Sequence, residues 1–386
     1  MEVLMNKRLA AIVLCLVLLA VTACGGSGSK DKQNEKDADA GATQEVQEVE
    51  KYTPAVHEEG KYYVGIIQQA PHEALDLTGE GFRDRLSELL GEDVVIDYKV
   101  ADGTMEDCDV IIDHFLQDKD DLILAVGTGA LMRVNAATKD IPVVGAAVTD
   151  FIIAGGVSSL GEPGGNVTGV SGMPSVGRQS QLLMQLMPDD GTVGMLYCKD
   201  EVNSAFQCRL MEKYLDENDV SFKEYTFAGA EDMEGVISKA ASECSVLYLP
   251  NDNVLAVNMD KVNQYAVQNG TRVFTSDGSM CKKGGLVSYG VDYYEVGVEA
   301  ADMAQEILVY GGGDYEDEED EYRGDPSRME ILDVKETASA WYNPVVAAAI
   351  GWTPDDTYSE LDVEVPQEQT PAAKTAEESA QGQTGN

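Results

Sequence analysis

The chain has 386 residues, 44% of them apolar and 7% aromatic, with 69 acidic against 27 basic side chains and a formal charge of −42. Such an acidic excess repels phosphate backbones and anionic headgroups, which excludes a nucleic-acid partner and leaves solubility outside a cell as its plainest use. The length suffices for two lobes, each with its own core.

In chain order, the first signal is N-terminal. Lys7 and Arg8 precede an apolar stretch from Leu9 to Ala20, about 12 residues, which suits a signal peptide and is short for about 30 Å of hydrocarbon. Val21-Thr22-Ala23-Cys24 follows. It resembles the bacterial lipobox, in which a peptidase cuts before a cysteine that carries lipid. Residues 1–23 are then a signal peptide and Cys24 the lipidation site. An ordinary signal peptide with an incidental cysteine is the other reading. Residues 24–60 are rich in Gly, Ser, Asp, Glu, Lys and Gln, too polar to offset ordering entropy, and are expected to form a disordered linker. The membrane is thus reached through a lipid only, on its extracytoplasmic face. Seven cysteines lose Cys15 with the signal and Cys24 to the lipid, which leaves Cys108, Cys198, Cys208, Cys244 and Cys281. That odd set, without a C-x-x-C pair or Cys/His metal spacing, predicts buried small hydrophobes and no metal site.

From Tyr62 the pattern turns regular. YYVGIIQ (Tyr62 to Gln68) reads as a buried strand, and Leu75, Leu77, Phe82, Leu86, Leu89 and Leu90 recur at helical spacing after it. A strand over Val94 to Val100, a helix over Met105 to Leu116, a strand over Leu122 to Val126 and a helix over Gly129 to Lys139 continue the alternation. Strands at Pro142 to Val148 and Asn166 to Ser171 close the first set. The order then restarts with VGMLYC (Val193 to Cys198), helix Ala205 to Glu217, strand Phe222 to Phe227 and helix Met233 to Ala241. Strand Val246 to Pro250, helix Val254 to Asn269 and strands at Val273 to Ser276 and Leu286 to Gly290 complete it. Such alternation predicts βαβ units and two mostly parallel sheets in series. The fold class is therefore α/β, with two Rossmann-like lobes joined by a hinge and a ligand cleft between them. Helix Val296 to Tyr310 and the segment after Met329 are expected to cross back and brace the hinge.

Catalytic material is sparse. The histidines are His57, His72 and His114, and no H-E-x-x-H, G-x-S-x-G or Walker loop occurs. Gly127-Thr128-Gly129 begins like a dinucleotide loop, but Met132 stands at the third glycine position. The turn reads either as purely structural or as a place where backbone N–H groups and the Thr128 hydroxyl hold an anionic group such as a carboxylate. Other polar residues fall just after strands: Gln68, Gln69 and His72; Thr149 and Asp150; Asn203 and Ser204; Asn251, Asp252 and Asn253; Ser276 and Asp277. Each alone suits a helix N-cap. Their recurrence at the carboxyl edge of strands in both halves argues for ligand contact, since parallel sheets bind ligands there.

Several runs together resemble the ABC transporter substrate-binding proteins of the tryptophan/tyrosine type, whose fold is the type I periplasmic-binding-protein architecture. They are His72-Glu73-Ala74-Leu75-Asp76, Asp121 to Ala125, Ala137 to Val144, Ala147 to Asp150, Pro163 to Ser171, Pro250 to Asn253 and Gly284 to Gly297. These occur in family order and cover roughly Lys61 to Gly311. The resemblance implies a small solute such as an aromatic amino acid, no catalysis and no cofactor. It also implies an ABC permease with its ATPase as partners and a monomeric receptor. Carried over by position, His72, Asp76, Thr128, Thr149, Asp150, Asn203, Asp252, Asn253 and Asp277 become ligand-binding candidates, with most weight on Thr128, Thr149, Asp252 and Asn253. The chain departs from the family pattern at Glu73, Gly129 and Phe151, where proline is usual, and at Gly172, where an aspartate is usual. The expected organisation is lobe 1 over residues 61–172 plus 292–311 and lobe 2 over 173–291. An acidic loop follows at 312–328, a bracing segment at 329–352 and a disordered tail at 353–386. A lipoprotein sensor coupled to a signalling receptor is the related alternative. A cell-surface hydrolase is a distant one, for want of a readable nucleophile–base pair.

Overall fold

The computed structural model describes residues 52–311 and 323–363. The signal peptide, Cys24, most of the linker, the acidic run around Asp317 and the end of the tail lie outside the described residues.

The first half builds β1 (Tyr62–Gln68), α1 (Glu73–Leu90), β2 (Val94–Val100), α2 (Met105–Asp118), β3 (Leu122–Val126), α3 (Thr128–Ala137), β4 (Val143–Val148), α4 (Phe151–Gly155) and β5 (Val167–Ser171). The second builds α5 (Val176–Gln185), β6 (Val193–Cys198), α6 (Val202–Glu217), β7 (Phe222–Phe227), α7 (Ala230–Glu243), β8 (Val246–Leu249), α8 (Asn253–Ala256), α9 (Met259–Asn269), β9 (Arg272–Thr275), α10 (Gly278–Lys283) and β10 (Val287–Gly290). The chain ends in α11 (Tyr293–Tyr310), β11 (Leu332–Asp333), β12 (Ser339–Tyr342), α12 (Pro344–Ile350) and β13 (Ser359–Glu360).

Two separate sheets result, ordered β11-β5-β4-β3-β1-β2 and β13-β12-β10-β9-β8-β6-β7. Within each, the five parallel strands run in the order second, first, third, fourth, fifth, so the topology is duplicated. The α/β two-sheet architecture expected from the alternation is present. The central strands β3 (LILAV) and β8 (VLYL) are apolar throughout because both faces are covered. In β3, Leu122, Leu124 and Val126 pack with α1 and α11, while Ile123 and Ala125 face α2 and α3. In β8, Val246 and Tyr248 enter one core and Leu247 and Leu249 the other. Each fully buried Leu, Ile or Phe contributes about 1.5–3 kcal/mol.

α11 belongs to the first lobe: Asp292 caps it by accepting from Tyr294 N and Glu295 N, and Val296, Ala300, Ala304 and Ile307 pack with Phe82 and Leu86 of α1. The chain therefore passes between lobes after β5, after β10 and between β11 and β12.

The structure differs from the expected pattern in three places. The helix read over Val254 to Asn269 is two helices, α8 and α9, broken at Val257 and Asn258, where α8 ends on a Val257 N–H to Leu255 carbonyl bond. The linker is not free up to residue 60: Asp118 accepts hydrogen bonds from the Tyr52 hydroxyl and Ala55 N, and the Tyr52 ring stacks on His114. The tail does not begin at Thr353. Tyr358 is buried, its ring meets Trp352 edge-on at 5.7 Å, and Ser359 and Glu360 pair with β12. Polar composition dominated both readings, whereas a few aromatic anchors decide the outcome.

Candidate functional site

The carboxyl ends of the central strands of both sheets open on one cavity of about 30 Å³, lined by His72, Leu75, Gly127, Thr128, Ala147, Thr149 and Tyr293 from the first lobe and its hinge end. Asn203, Asn251, Asp252, Asn253, Ala256 and Asp277 line it from the second. That volume holds about one or two waters.

On the first-lobe side, Gly127 sits at φ 100° and starts α3. This left-handed turn, accessible to glycine, lets the chain double back so that the buried Thr128 faces the cleft. Thr128 Oγ1 accepts from Thr149 N at 3.3 Å, which ties the ends of β3 and β4 together. Gln69 Oε1 accepts the Gly129 N–H at 2.8 Å, so a side chain already occupies one of the amides read as an anion cradle. The register of β4 against β5 slips between Ala146 and Val148, and Ala147 there has φ 56°. A bulge beside a cleft re-aims the residues that follow it, here Thr149.

On the second-lobe side, helix starts dominate. Asp277 caps α10, its Oδ1 accepting from Met280 N at 2.8 Å and Ser279 Oγ at 2.6 Å. Asp252 caps α8 through Oδ1 and Leu255 N, while its Oδ2 accepts from Cys198 N at 2.7 Å and Ser204 Oγ at 2.9 Å. Its carboxylate is thus a tie between β6, α6 and β8. Asn203 Nδ2 donates to the Asn251 carbonyl and to Glu201 Oε2, each at 2.8 Å. Glu201 Oε2 also accepts from Asn253 Nδ2 at 2.8 Å and from Asn253 N at 3.3 Å. Burial first, then the neighbouring Asp252 carboxylate, pushes the Glu201 carboxyl well above its usual range; burial does the same to Asp252.

The lobes touch directly. His72 Nε2 and Asn253 Oδ1 are 2.8 Å apart, and Lys282 of α10 pairs with Glu73 of α1 at 3.1 Å. Burial lowers the His72 pKa below its ordinary value, which favours the neutral imidazole. Its Nδ1 is buried and has no hydrogen-bond partner among the described residues.

Of the sequence candidates, His72, Thr128, Thr149, Asn203, Asp252, Asn253 and Asp277 border this cavity. The other two do not. Asp150 caps α4 by accepting from Ile152 N and Ile153 N. Asp76 accepts from Gln68 Nε2 at 2.6 Å, bracing the end of β1. Asn251, one of the polar residues at strand ends, lines the cavity without standing among the nine carried over from the family, and Glu201 and Tyr293 were singled out by neither argument. Asn251 was readable from its place after β8. Glu201 was hidden because an acidic residue before a helix reads as a solvated one. Among the described residues, no cluster of His, Cys, Asp or Glu could hold a metal ion.

Comparison with known proteins agrees with this geometry. The family described as ABC transporter substrate binding protein matches residues 63–314. A tyrosine-binding protein of Clostridioides difficile (strain R20291) is 33% identical over 248 residues, 64% of this chain and 72% of that one. A solved ABC domain in complex with L-Trp from Streptococcus pneumonia superposes with a TM-score of 0.71 at 25% identity, covering 78% of this chain and all of the other. The ligand-free, open structure of a substrate-binding protein with adhesive properties from Clostridium difficile scores 0.60 at 30% identity, with the same coverage of both chains. The lower score against an open structure, at higher identity, accords with the bonds that span the cleft here.

Proposed function

The chain belongs to the ABC transporter substrate-binding protein family, and from that premise we propose that it is an extracytoplasmic lipoprotein that captures an aromatic amino acid between its lobes and delivers it to an ABC permease. The observation that carries this reading is the convergence of strand ends from two duplicated sheets on one cavity, bridged by His72 and Asn253.

The lining suits such a ligand. Both recorded bonds to Asp277 fall on Oδ1, which leaves Oδ2 to receive an ammonium group. The Thr128 and Thr149 hydroxyls offer donors to a carboxylate. Leu75, Ala147, Ala256 and Tyr293 supply apolar surface for a ring. The likeness to a tyrosine-binding protein and to a domain holding L-Trp favours tyrosine or tryptophan. Contacts from both lobes shift the population toward the closed form, which the permease then reads, and no chemistry on the ligand is required. Cys24 anchors the chain by lipid; no helix among the described residues is long and apolar enough to cross a membrane.

Titration calorimetry against the twenty amino acids tests the reading. Micromolar or tighter binding of L-tyrosine or L-tryptophan is expected, and absence of heat with all twenty overturns the amino-acid assignment.

A further inference from the structure

The orphaned nitrogen of His72 decides what the ligand must bring. Glu201 Oε2 accepts three N–H groups, from Asn203 Nδ2, Asn253 N and Asn253 Nδ2. An oxygen so placed is an acceptor whatever the protonation of the carboxyl, because any proton would sit on Oε1. The Asn253 amide therefore turns its NH₂ toward Glu201 and its Oδ1 toward His72. An Oδ1 can only accept, so the His72 Nε2 at 2.8 Å must be the protonated nitrogen. Nδ1 is then a bare acceptor, and it is the atom left buried without a partner, in a residue 7% exposed that lines the cavity. An acceptor in that state costs about as much as a lost hydrogen bond, and a donor brought by a ligand would recover it.

We propose that the chain Glu201–Asn253–His72 holds His72 in its Nε2–H tautomer, so that the site selects a ligand placing an N–H of a protonated amine on His72 Nδ1, with Glu201 and Asn253 as positioning residues. The inference rests on the ligand-binding reading of the cavity. Asp277 and Lys283 of α10 and Asp76 of α1 are the other charges that act on the ring. The Asp277 carboxylate would share the amine with Nδ1. The requirement reaches both lobes: His72 stands on the first and its orienting partners Asn253 and Glu201 on the second, joined by the 2.8 Å contact across the cleft.

The test uses the full-length protein with ¹⁵N-labelled histidine at pH 7, where three histidines are present and His72→Asn assigns the signal. In the free protein, Nδ1 should resonate as an unprotonated nitrogen and Nε2 as a protonated one. Glu201→Gln, which keeps an acceptor oxygen, should preserve that pattern, while Glu201→Ala should let the Nδ1–H tautomer appear. With L-tyrosine and L-tryptophan as probes, the Nδ1 signal should move as it gains a donor. His72→Asn, which mimics Nδ1 but gives up the contact with Asn253, and His72→Gln, which mimics only Nε2, should both bind more weakly than the parent, the Gln variant about tenfold more weakly than the Asn variant. A protonated Nδ1 in the free protein overturns the proposal, as does equal loss in the two His72 variants. If neither probe binds, the aromatic-amino-acid reading fails on its own, and the tautomer in the free protein still decides the inference.

Discussion

Asp252→Ala separates two roles that its position in the cleft wall confounds. The carboxylate lines the cavity, yet both of its oxygens are engaged: Leu255 N, Cys198 N and Ser204 Oγ all donate to it within 2.9 Å. Losing an N-cap costs about 1 kcal/mol, and leaving the buried Cys198 amide unpaired costs about 1–3 kcal/mol more. The Ser204 hydroxyl keeps the Asn251 carbonyl as a partner and adds little. Removing a carboxylate that burial strains returns part of this, so the net loss should be about 2–3 kcal/mol at pH 7. Burial raises the folded pKa of Asp252, so the native state holds a proton that the unfolded chain has released; the parent gains stability as pH falls, and the penalty of the variant should be larger at pH 5 than at pH 8. Urea unfolding followed by tryptophan fluorescence reads this directly, because both tryptophans, Trp341 and Trp352, lie at the second sheet. Affinity of the folded fraction for L-tyrosine should change by less than about threefold, the size of a contact worth under about 0.7 kcal/mol. An unfolding midpoint like the parent's combined with lost binding would refute the structural assignment.

Three further outcomes follow from individual contacts. Asp120, 7% exposed and with no partner for Oδ2 among the described residues, is pushed up to about 7 by burial and then by Asp118, Asp97 and Asp121. Its folded pKa exceeds the unfolded value of 3.8, so the stability it contributes is present below that value and lost as pH rises through about 7. Asp120→Asn should therefore gain on the parent between pH 4 and pH 8 by about 1–2 kcal/mol, after solvent screening reduces a ceiling of about 4; equal denaturation differences at the two pH values would count against this. Gly172→Ala would set a Cβ 2.9 Å from the Ala147 Cα and 3.2 Å from the Tyr293 ring, and the overpacking should cost about 1–3 kcal/mol and weaken L-tyrosine binding, with unchanged calorimetry as the contrary result. Ending the chain at Trp352 removes Tyr358 and β13, and the second lobe should melt several degrees lower, about 2–4 °C per kcal/mol lost; an unaltered melt would show the strand to be idle.

Much of the fold was legible because its determinants are local in sequence. Runs such as LILAV and VGMLYC, each followed by a helical period, specify buried parallel strands wherever they occur. The polar residues at strand ends were legible for the same reason. What escaped depends on partners distant in sequence. Helix α5 has little apolar content before Leu182 and Leu183, yet it is held because Gln179 donates to the Tyr289 carbonyl and accepts from the Tyr248 hydroxyl. Asp150 and Asp277 look alike in sequence, each a carboxylate before a short helix. Only the three-dimensional placement sets Asp277 in the cavity and Asp150 outside it.

The same logic explains why the cavity and the hinge are hard to separate. Tyr293 opens α11 immediately after the chain crosses from β10, and its buried ring forms part of the cavity wall. Beside it lies Gly172, where the chain leaves β5 for the other lobe, and across from both lies the left-handed Ala147 that bends β4. Under the proposed function, a group lodged between the lobes would press on two of the chain crossings. Packed interfaces respond to such pressure by switching between discrete arrangements, because close-packed side chains deform little. The family-typical aspartate at position 172 would crowd this corner. With glycine there, the ring of Tyr293 can approach the backbone, and under the proposed ligand reading the ammonium partner that an aspartate could have supplied would be Asp277 on the opposite lobe, beside His72 Nδ1. On that reading the amine would be held from both sides of the cleft, and occupancy would depend on closure.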